Sequence, residues 1–234
     1  MIFLLIMLFV LVFLVVYHFL TLKYLNPYKL TMVFGKKGCG KTTFLTKTAL
    51  QHLKAGWTVF STEPIPGCYA ISPSQIGKVL IPSGSVLLVD EVGMIWDNRD
   101  FKNFRPEVRN WFKLQRHYHV KVFLFSQTFD IDKKLRDLTD QMYYLENKFR
   151  IFSWAKKIDK CTVLTQAEAD KPSSLAENLQ FEPFLFWIFG SRILTYIPKY
   201  VKYFDSFSVP ELPECSFEKW DDLFAESRNN DPCV

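Results

Sequence analysis

The longest unbroken apolar run opens the chain. Residues 2 to 16 are all hydrophobic, Tyr17 and His18 stand near the end of the run, and no charged side chain occurs before Lys23. A helix of about 20 apolar residues crosses a hydrocarbon core ~30 Å thick. Leu, Ile, Val and Phe at its centre each favour insertion by roughly 0.3–0.6 kcal/mol. A signal peptide would need a basic leader and a small-residue cleavage site, and neither is present, so residues 1–22 are expected to form an uncleaved transmembrane helix. Lys23, Lys29, Lys36 and Lys37 follow the run and no cation precedes it. The positive-inside rule then puts the N-terminus outside and the remainder in the cytoplasm.

Beyond a short linker, 23–29, the pattern changes to brief apolar runs separated by amphipathic stretches. Leu30 to Phe34 predicts a buried strand. Lys41 to Lys54 predicts a helix, with Phe44, Leu45, Ala49, Leu50 and Leu53 on one face and Gly56 as the residue that ends it. Trp57 to Ser61 and Val86 to Val89 predict two more strands, and the four Pro and three Gly of residues 62–84 predict a loop with one short helix. Pro106 opens a helix reaching about Arg116, with Val108, Trp111, Phe112 and Leu114 as its apolar stripe. Val120 to Phe125 predicts a fourth strand, and Asp130 caps a short helix carrying Ile131, Leu135 and Leu138. Residues 141–154 and 181–205 read as strand-rich. The apolar patch Phe184 to Phe189 is too short to span a membrane and reads as a buried strand. Strands alternating with helices imply a parallel sheet covered on both faces, with ligands at the carboxyl ends of its strands.

Composition adds limits. The 234 residues suit one domain plus appendages. Residues 99–160 hold fifteen Lys/Arg against eight Asp/Glu, a local +7 that suits phosphate or anionic lipid; residues 210–234 hold seven acids against two bases, an acidic tail of −5. Five Cys with no CxxC spacing indicate neither a disulfide framework nor a zinc site. His117 and His119 lack an acidic or Cys partner at ligand spacing and are not read as a metal pair.

The chemistry lies directly after the strands. Gly35, Gly40, Lys41 and Thr42 meet the pattern G-x-x-x-x-G-K-[ST] between an apolar strand and a helix. Glycine lets backbone N–H groups curl around phosphate oxygens, and the helix N-terminus adds its dipole. Gly35, Lys36, Lys37, Gly38, Cys39, Gly40, Lys41, Thr42 and Thr43 are therefore the expected nucleotide-binding residues. Lys41 would neutralise β/γ-phosphate charge, and Thr42 would offer a hydroxyl to Mg²⁺. In "SVLLVDEVG", Asp90 ends a buried strand where it can support Mg²⁺, and Glu91 can bend at the strand end to activate water. Gln127 ends the strand after that of Asp90, where it can reach the γ-phosphate; Ser126 is a weaker candidate. A strand between the phosphate loop and Asp90, with Glu beside that Asp, points to the additional-strand, catalytic-glutamate branch of P-loop ATPases. Enzymes of that branch work as rings in which an arginine completes the neighbouring site, and Arg116 and Arg136 are the candidates.

The stretch "LQRHYHVKVFLFSQTFDIDKKLRDLTDQMYYLEN" resembles the zonula occludens toxin-like family, which includes the filamentous-phage gene I assembly ATPase. Arg116, His117, Ser126, Gln127, Ile131, Asp132, Leu135 and Arg136 fall in register with its pattern. Gln115 stands where the family has its first His, and His119 where it has Gly. "YIPKYVKYFDSFSV" resembles the end of the family's ATPase domain, which gives domain limits of 30–209, with 210–234 as the tail. The resemblance implies an ATP- and Mg²⁺-dependent motor in the inner or cytoplasmic membrane of the host, working as a homo-oligomeric ring. It would drive assembly and extrusion of filamentous phage, acting on coat protein and the single-stranded DNA complex. The rival readings are a membrane-anchored DNA-translocating ATPase and a non-hydrolysing, nucleotide-gated scaffold. No disulfide partner is expected.

Overall fold

A computed structural model describes residues 2–96, 106–129, 133–165 and 174–204. One compact unit runs to Phe204; the second, from Asp205, lies outside the described residues, and with it the acidic tail, Cys215 and Cys233. Asp130, Ile131 and Asp132 also lie outside them.

The first apolar run is the helix α1 (Ile2–Thr21), none of whose residues is buried. Its mean hydropathy of 3.0 and its length suit a membrane span. A mixed α/β core follows. Its central strands are β1 (Leu30–Phe34), β2 (Thr58–Ser61), β4 (Ser85–Val89) and β5 (Val120–Ser126), with a two-residue strand β3 (Tyr69–Ala70) inside the predicted loop. The helices are α2 (Lys41–Lys54), α3 (Val92–Ile95), α4 (Pro106–Leu114) and α5 (Lys133–Asp137). β6 (Gln141–Lys148), β7 (Phe152–Thr165), β8 (Ser174–Phe181) and β9 (Arg192–Tyr196) complete the sheet.

Among the described residues the order is β3-β2-β4-β5-β1-β6-β7-β8, with β9 also on β7. The six strands from β3 to β6 are mutually parallel, and β7, β8 and β9 extend the sheet antiparallel. β5 lies between β1 and β4 and pairs with both. The fold is thus mixed α/β, with one strand, β5, inserted between the strand that leads into the Gly35–Gly40 loop and the strand that ends at Asp90, as the additional-strand expectation requires.

The apolar runs read as strands because both of their faces are buried. Met32, Leu87, Val89, Val122 and Leu124 face one core with Val108, Trp111 and Phe112 of α4 and Leu135 of α5. Their neighbours Val33, Val86, Leu88 and Phe125 face a second core with Phe44, Leu45 and Ala49 of α2. Side chains alternate along a strand, so a two-sided core demands apolar residues at every position. α2 ends as its sequence implies. Gly56 adopts φ 81, its N–H donates to Leu53 O at 3.0 Å, and Trp57 N–H donates to His52 O at 3.0 Å, the paired bonds of a Schellman motif.

The patch Phe184 to Phe189 departs from its expected buried strand. It is a 3₁₀ helix, with Phe184, Phe186 and Trp187 exposed. The reason lies in the register of β7. β8 pairs with Ile158 to Thr165 and β9 with Phe152 to Lys156, both antiparallel, so the two strands continue one line along one edge of β7. Only Lys157 separates them, and it bridges both: Glu182 N–H donates to Lys157 O at 3.1 Å, and Lys157 N–H to Ser191 O at 2.9 Å. No strand position is left for residues 183–190, which leave the sheet as an excursion.

Candidate functional site

The parallel register levels the carboxyl ends of four strands. Phe34 pairs with Ser126, Val89 with Leu124, and Ser61 with Leu88. The residues that follow these strands therefore gather on one edge of the sheet.

From β1 the chain enters the Gly35–Gly40 loop. A Cβ at Gly35 would lie 2.7 Å from both Cys39 Sγ and Leu145 O, and one at Gly40 would lie 2.8 Å from Ser153 Cβ. Gly40 also holds φ 92 as the residue that starts α2. Both positions thus need glycine for space, and Gly40 for backbone conformation too. Cys39 is buried against Gly35, and burial raises its thiol pKa. Lys36, Lys37 and Gly38 are exposed at the loop tip, whereas Lys41 and Thr43 are buried and Thr42 is half-buried in the first turn of α2. Lys41 Nζ donates to Gly35 O at 3.0 Å and Lys36 O at 3.4 Å, which folds the ammonium into the loop. A cavity of about 280 Å³ flanks the loop, between Lys36, Lys37 and Gly38 on one side and Glu146, Asn147 and Lys148 of β6 on the other.

At the end of β4, Asp90 is 7% exposed and accepts the Glu91 backbone N–H on Oδ1 at 2.9 Å. Its own N–H donates to Thr62 Oγ1 at 3.0 Å, tying the ends of β2 and β4 together. Glu91 takes the left-handed conformation, φ 49 and ψ 43. A glutamate there is strained by roughly 1 kcal/mol or more, and such strain persists where the surroundings hold it. The turn breaks strand alternation and brings the Glu91 carboxylate to the end of β5, where Gln127 Nε2 donates to Glu91 Oε1 at 2.7 Å. The expected base and the expected γ-phosphate sensor are thus in direct contact. Ser126 Oγ and Ser153 Oγ are buried without a hydrogen-bond partner among the described residues; the first faces Gly93 and the second Gly40.

Sequence reasoning missed one carboxylate. Glu63 follows β2 at the same edge, half-buried, and its pKa is raised by burial and then by the charge of Glu91. The rule that had pointed to Asp90, a polar residue just past the carboxyl end of a buried parallel strand, applies equally to "STEP". Burial first, and then the charges of Glu91 and Glu63, raise the Asp90 carboxyl from its ordinary 3.8 to about 6, against the opposing effects of the Glu91 N–H and Lys41.

That shift carries a prediction. The folded pKa exceeds the unfolded one, so the native state holds the extra proton between pH 4 and 6 and loses stability as pH rises through that window. Two pKa units correspond to about 3 kcal/mol above pH 6. Urea unfolding of Asp90→Asn, with no nucleotide or divalent ion added, is expected to show higher stability than wild type at pH 7 and a flatter profile between pH 4 and 6. A variant less stable than wild type at pH 7 would contradict the assigned cause.

The two arginines take different positions. Arg116 precedes β5, whose first residue, Val120, pairs with Ser85, the first of β4; Arg116 is exposed at the sheet edge opposite the phosphate loop. Arg136 sits over the Phe129 ring at 4.6 Å and donates to Phe129 O at 3.2 Å. The two departures within the resembling stretch have structural explanations. Buried Gln115 donates to Tyr28 O at 3.1 Å. His119 adopts φ 54, the conformation a glycine would favour, and its ring lies 4.9 Å from that of Tyr28.

No three His, Cys, Asp or Glu side chains converge as a metal cage among the described residues. Mg²⁺ carried by a nucleotide does not need one, since it keeps several waters and takes one or two protein oxygens. The hard-oxygen pair of Thr42 and Asp90, with a surplus of carboxylate charge beside it, fits that demand.

Comparison with known proteins finds similarity over part of the chain. Residues 67–174 match the family model of zonular occludens toxin (Zot). Sequence comparison with curated proteins finds no match. Among solved structures, the N-terminal domain of zonular occludens toxin from Neisseria meningitidis is 18% identical over 68% of this chain and 96% of its own, with a TM-score of 0.45. The genome packaging NTPase B204 from Sulfolobus turreted icosahedral virus 2 is 16% identical over 53% and 78%, with a TM-score of 0.41. The flagellar accessory protein FlaH from Methanocaldococcus jannaschii is 11% identical over 55% and 77%, with a TM-score of 0.43.

Proposed function

We propose that this chain, in which the Zot family pattern lies on a P-loop NTPase core, is a membrane-anchored ATPase that couples ATP hydrolysis to assembly and extrusion of filamentous phage particles. The observation that carries the reading is the Gln127–Glu91 hydrogen bond of 2.7 Å at the edge where the phosphate loop, Asp90 and Gln127 meet. The loop N–H groups and Lys41 bind the β- and γ-phosphates; Thr42 and Asp90 would hold Mg²⁺, which when bound would supply charge neutralisation to the nucleotide phosphates. Glu91 accepts the proton of the attacking water, and Gln127 orients that carboxylate and meets the γ-phosphate. α1 keeps the motor beside the bilayer, with the core on the cytoplasmic side. The chain works as a homo-oligomer in which an arginine, Arg116 or Arg136, completes the site of a neighbouring subunit.

The test uses an infected host in which Glu91→Gln replaces the wild-type chain. Particle release is expected to stop while viral single-stranded DNA and membrane-inserted coat protein accumulate. Undiminished release would exclude the extrusion role. The basic character of residues 99–160 favours one second reading, a DNA-translocating ATPase. Hydrolysis stimulated by single-stranded DNA and suppressed steeply by salt, in cells that make no particles, would select it.

A further inference from the structure

The excursion between β8 and β9 has a composition its position does not require. A loop that merely returns the chain to the next stretch of the same sheet edge is served by polar residues, yet residues 184–189 read FLFWIF. Phe184 is 59% exposed, Phe186 46% and Trp187 56%, and the rings of Phe184 and Trp187 stack at 5.8 Å. The base of the excursion is held firmly. Arg192 Nη2 donates to Glu182 O at 2.7 Å, Lys157 pairs with Glu182, Ser191 is fully buried, and Gly190 closes the turn at φ 87. Apolar rings are thus presented to the outside on a pinned support.

Their place relative to α1 indicates what covers them. A cleft of about 430 Å³ is lined by Leu14, Tyr17 and His18 of α1 and by Glu182, Pro183 and Phe186 of the excursion. Leu14 lies about 10 Å along the helix axis from its last residue, at 1.5 Å per residue. The excursion therefore stands beside the end of α1 where the apolar run gives way to Tyr17 and His18. In a membrane that end lies at the boundary of acyl chains and headgroups, the zone where Trp and other aromatic rings are favoured. Lys157, Asp159 and Glu182 line the same cleft and set the depth, since ionised groups belong at the headgroups.

We propose that Phe184, Phe186 and Trp187 dip into the headgroup–acyl boundary beside α1 and dock the ATPase core flat on the bilayer surface. The inference rests on the membrane reading of α1 and adds a second lipid contact, made by the soluble core. It places the sheet end bearing β7 to β9 against the lipid.

The test uses the full chain reconstituted in phosphatidylcholine/phosphatidylglycerol vesicles whose lipids are brominated on the upper acyl chain. Bromine quenches tryptophan on contact, and Trp187→Phe keeps an apolar ring while removing one of six tryptophans. Flotation after alkaline carbonate reports α1 independently. Chain that floats, with a quenched component that Trp187→Phe removes, is the expected result. Chain that floats without such a component overturns the docking and leaves the anchor standing. Chain that does not float overturns the anchor, and the docking with it. Trp187 emission that ignores bromine and instead tracks the protein-to-lipid ratio overturns the docking in favour of a second copy covering the rings.

Discussion

Lys41→Ala is expected to abolish measurable nucleotide binding. Lys41 is 7% exposed, and its ammonium is folded into the loop by Gly35 O at 3.0 Å and Lys36 O at 3.4 Å. An ammonium has three donor protons, so one remains for a phosphate oxygen while two keep the loop closed around it. Removing one partner from a buried, hydrogen-bonded charge pair costs roughly 3–5 kcal/mol, which lowers affinity by about two to four orders of magnitude. The measurement is calorimetric titration of ATP-Mg²⁺ into the reconstituted chain. The variant's own fold is expected to survive, because the truncation removes a cation whose bonds go only to neutral carbonyls. Affinity equal to wild type would remove Lys41, and with it the loop, from the site.

Glu91→Gln is the second large effect and separates binding from chemistry. General-base assistance contributes about 10²–10⁴ in rate, and loss of that order is expected in single-turnover hydrolysis. ATP affinity is expected to stay within a few fold. The reason is structural: the new side chain keeps an oxygen that can accept the 2.7 Å bond from Gln127, and the left-handed turn at residue 91 is set by the backbone on both sides. The variant should therefore hold ATP without turning it over. Normal turnover would move the base elsewhere, and Glu63 is the next carboxylate on the same edge.

Much of this edge was legible before any coordinates. The Gly35–Gly40 loop declares itself because glycine and lysine spacing is a local requirement: Gly40 holds φ 92 at the point where α2 starts. Asp90 was legible because it follows Val86–Val89, apolar at every position, and Gln127 because it lies just past the apolar run Val122–Phe125; such runs mark strands buried on both faces. The α2 boundaries followed from periodicity and from Gly56. Glu63 was missed although the same reasoning applied to it; the four-residue strand before it begins with Thr58 and ends in Ser61, a weaker apolar signal than β4 or β5.

Periodicity failed where the answer depended on which strand lay alongside. Phe184 to Phe189 is as apolar as any strand in the chain. It becomes a 3₁₀ turn with Phe184, Phe186 and Trp187 exposed because β8 and β9 have already filled the edge of β7 on either side of Lys157. The contact between Glu91 and Gln127 likewise needs β5 beside β4, a non-local pairing of strands some thirty residues apart. What the sequence determined by itself is every feature governed by a residue and its near neighbours: the apolar first helix, the phosphate loop, the strand ends that carry its partners. Tertiary structure alone decided strand order, the left-handed turn that aims Glu91, the rise of the Asp90 pKa and the exposure of Phe184, Phe186 and Trp187. Each of these depends on desolvation and hydrogen bonding by groups distant in the chain, which local pattern does not encode.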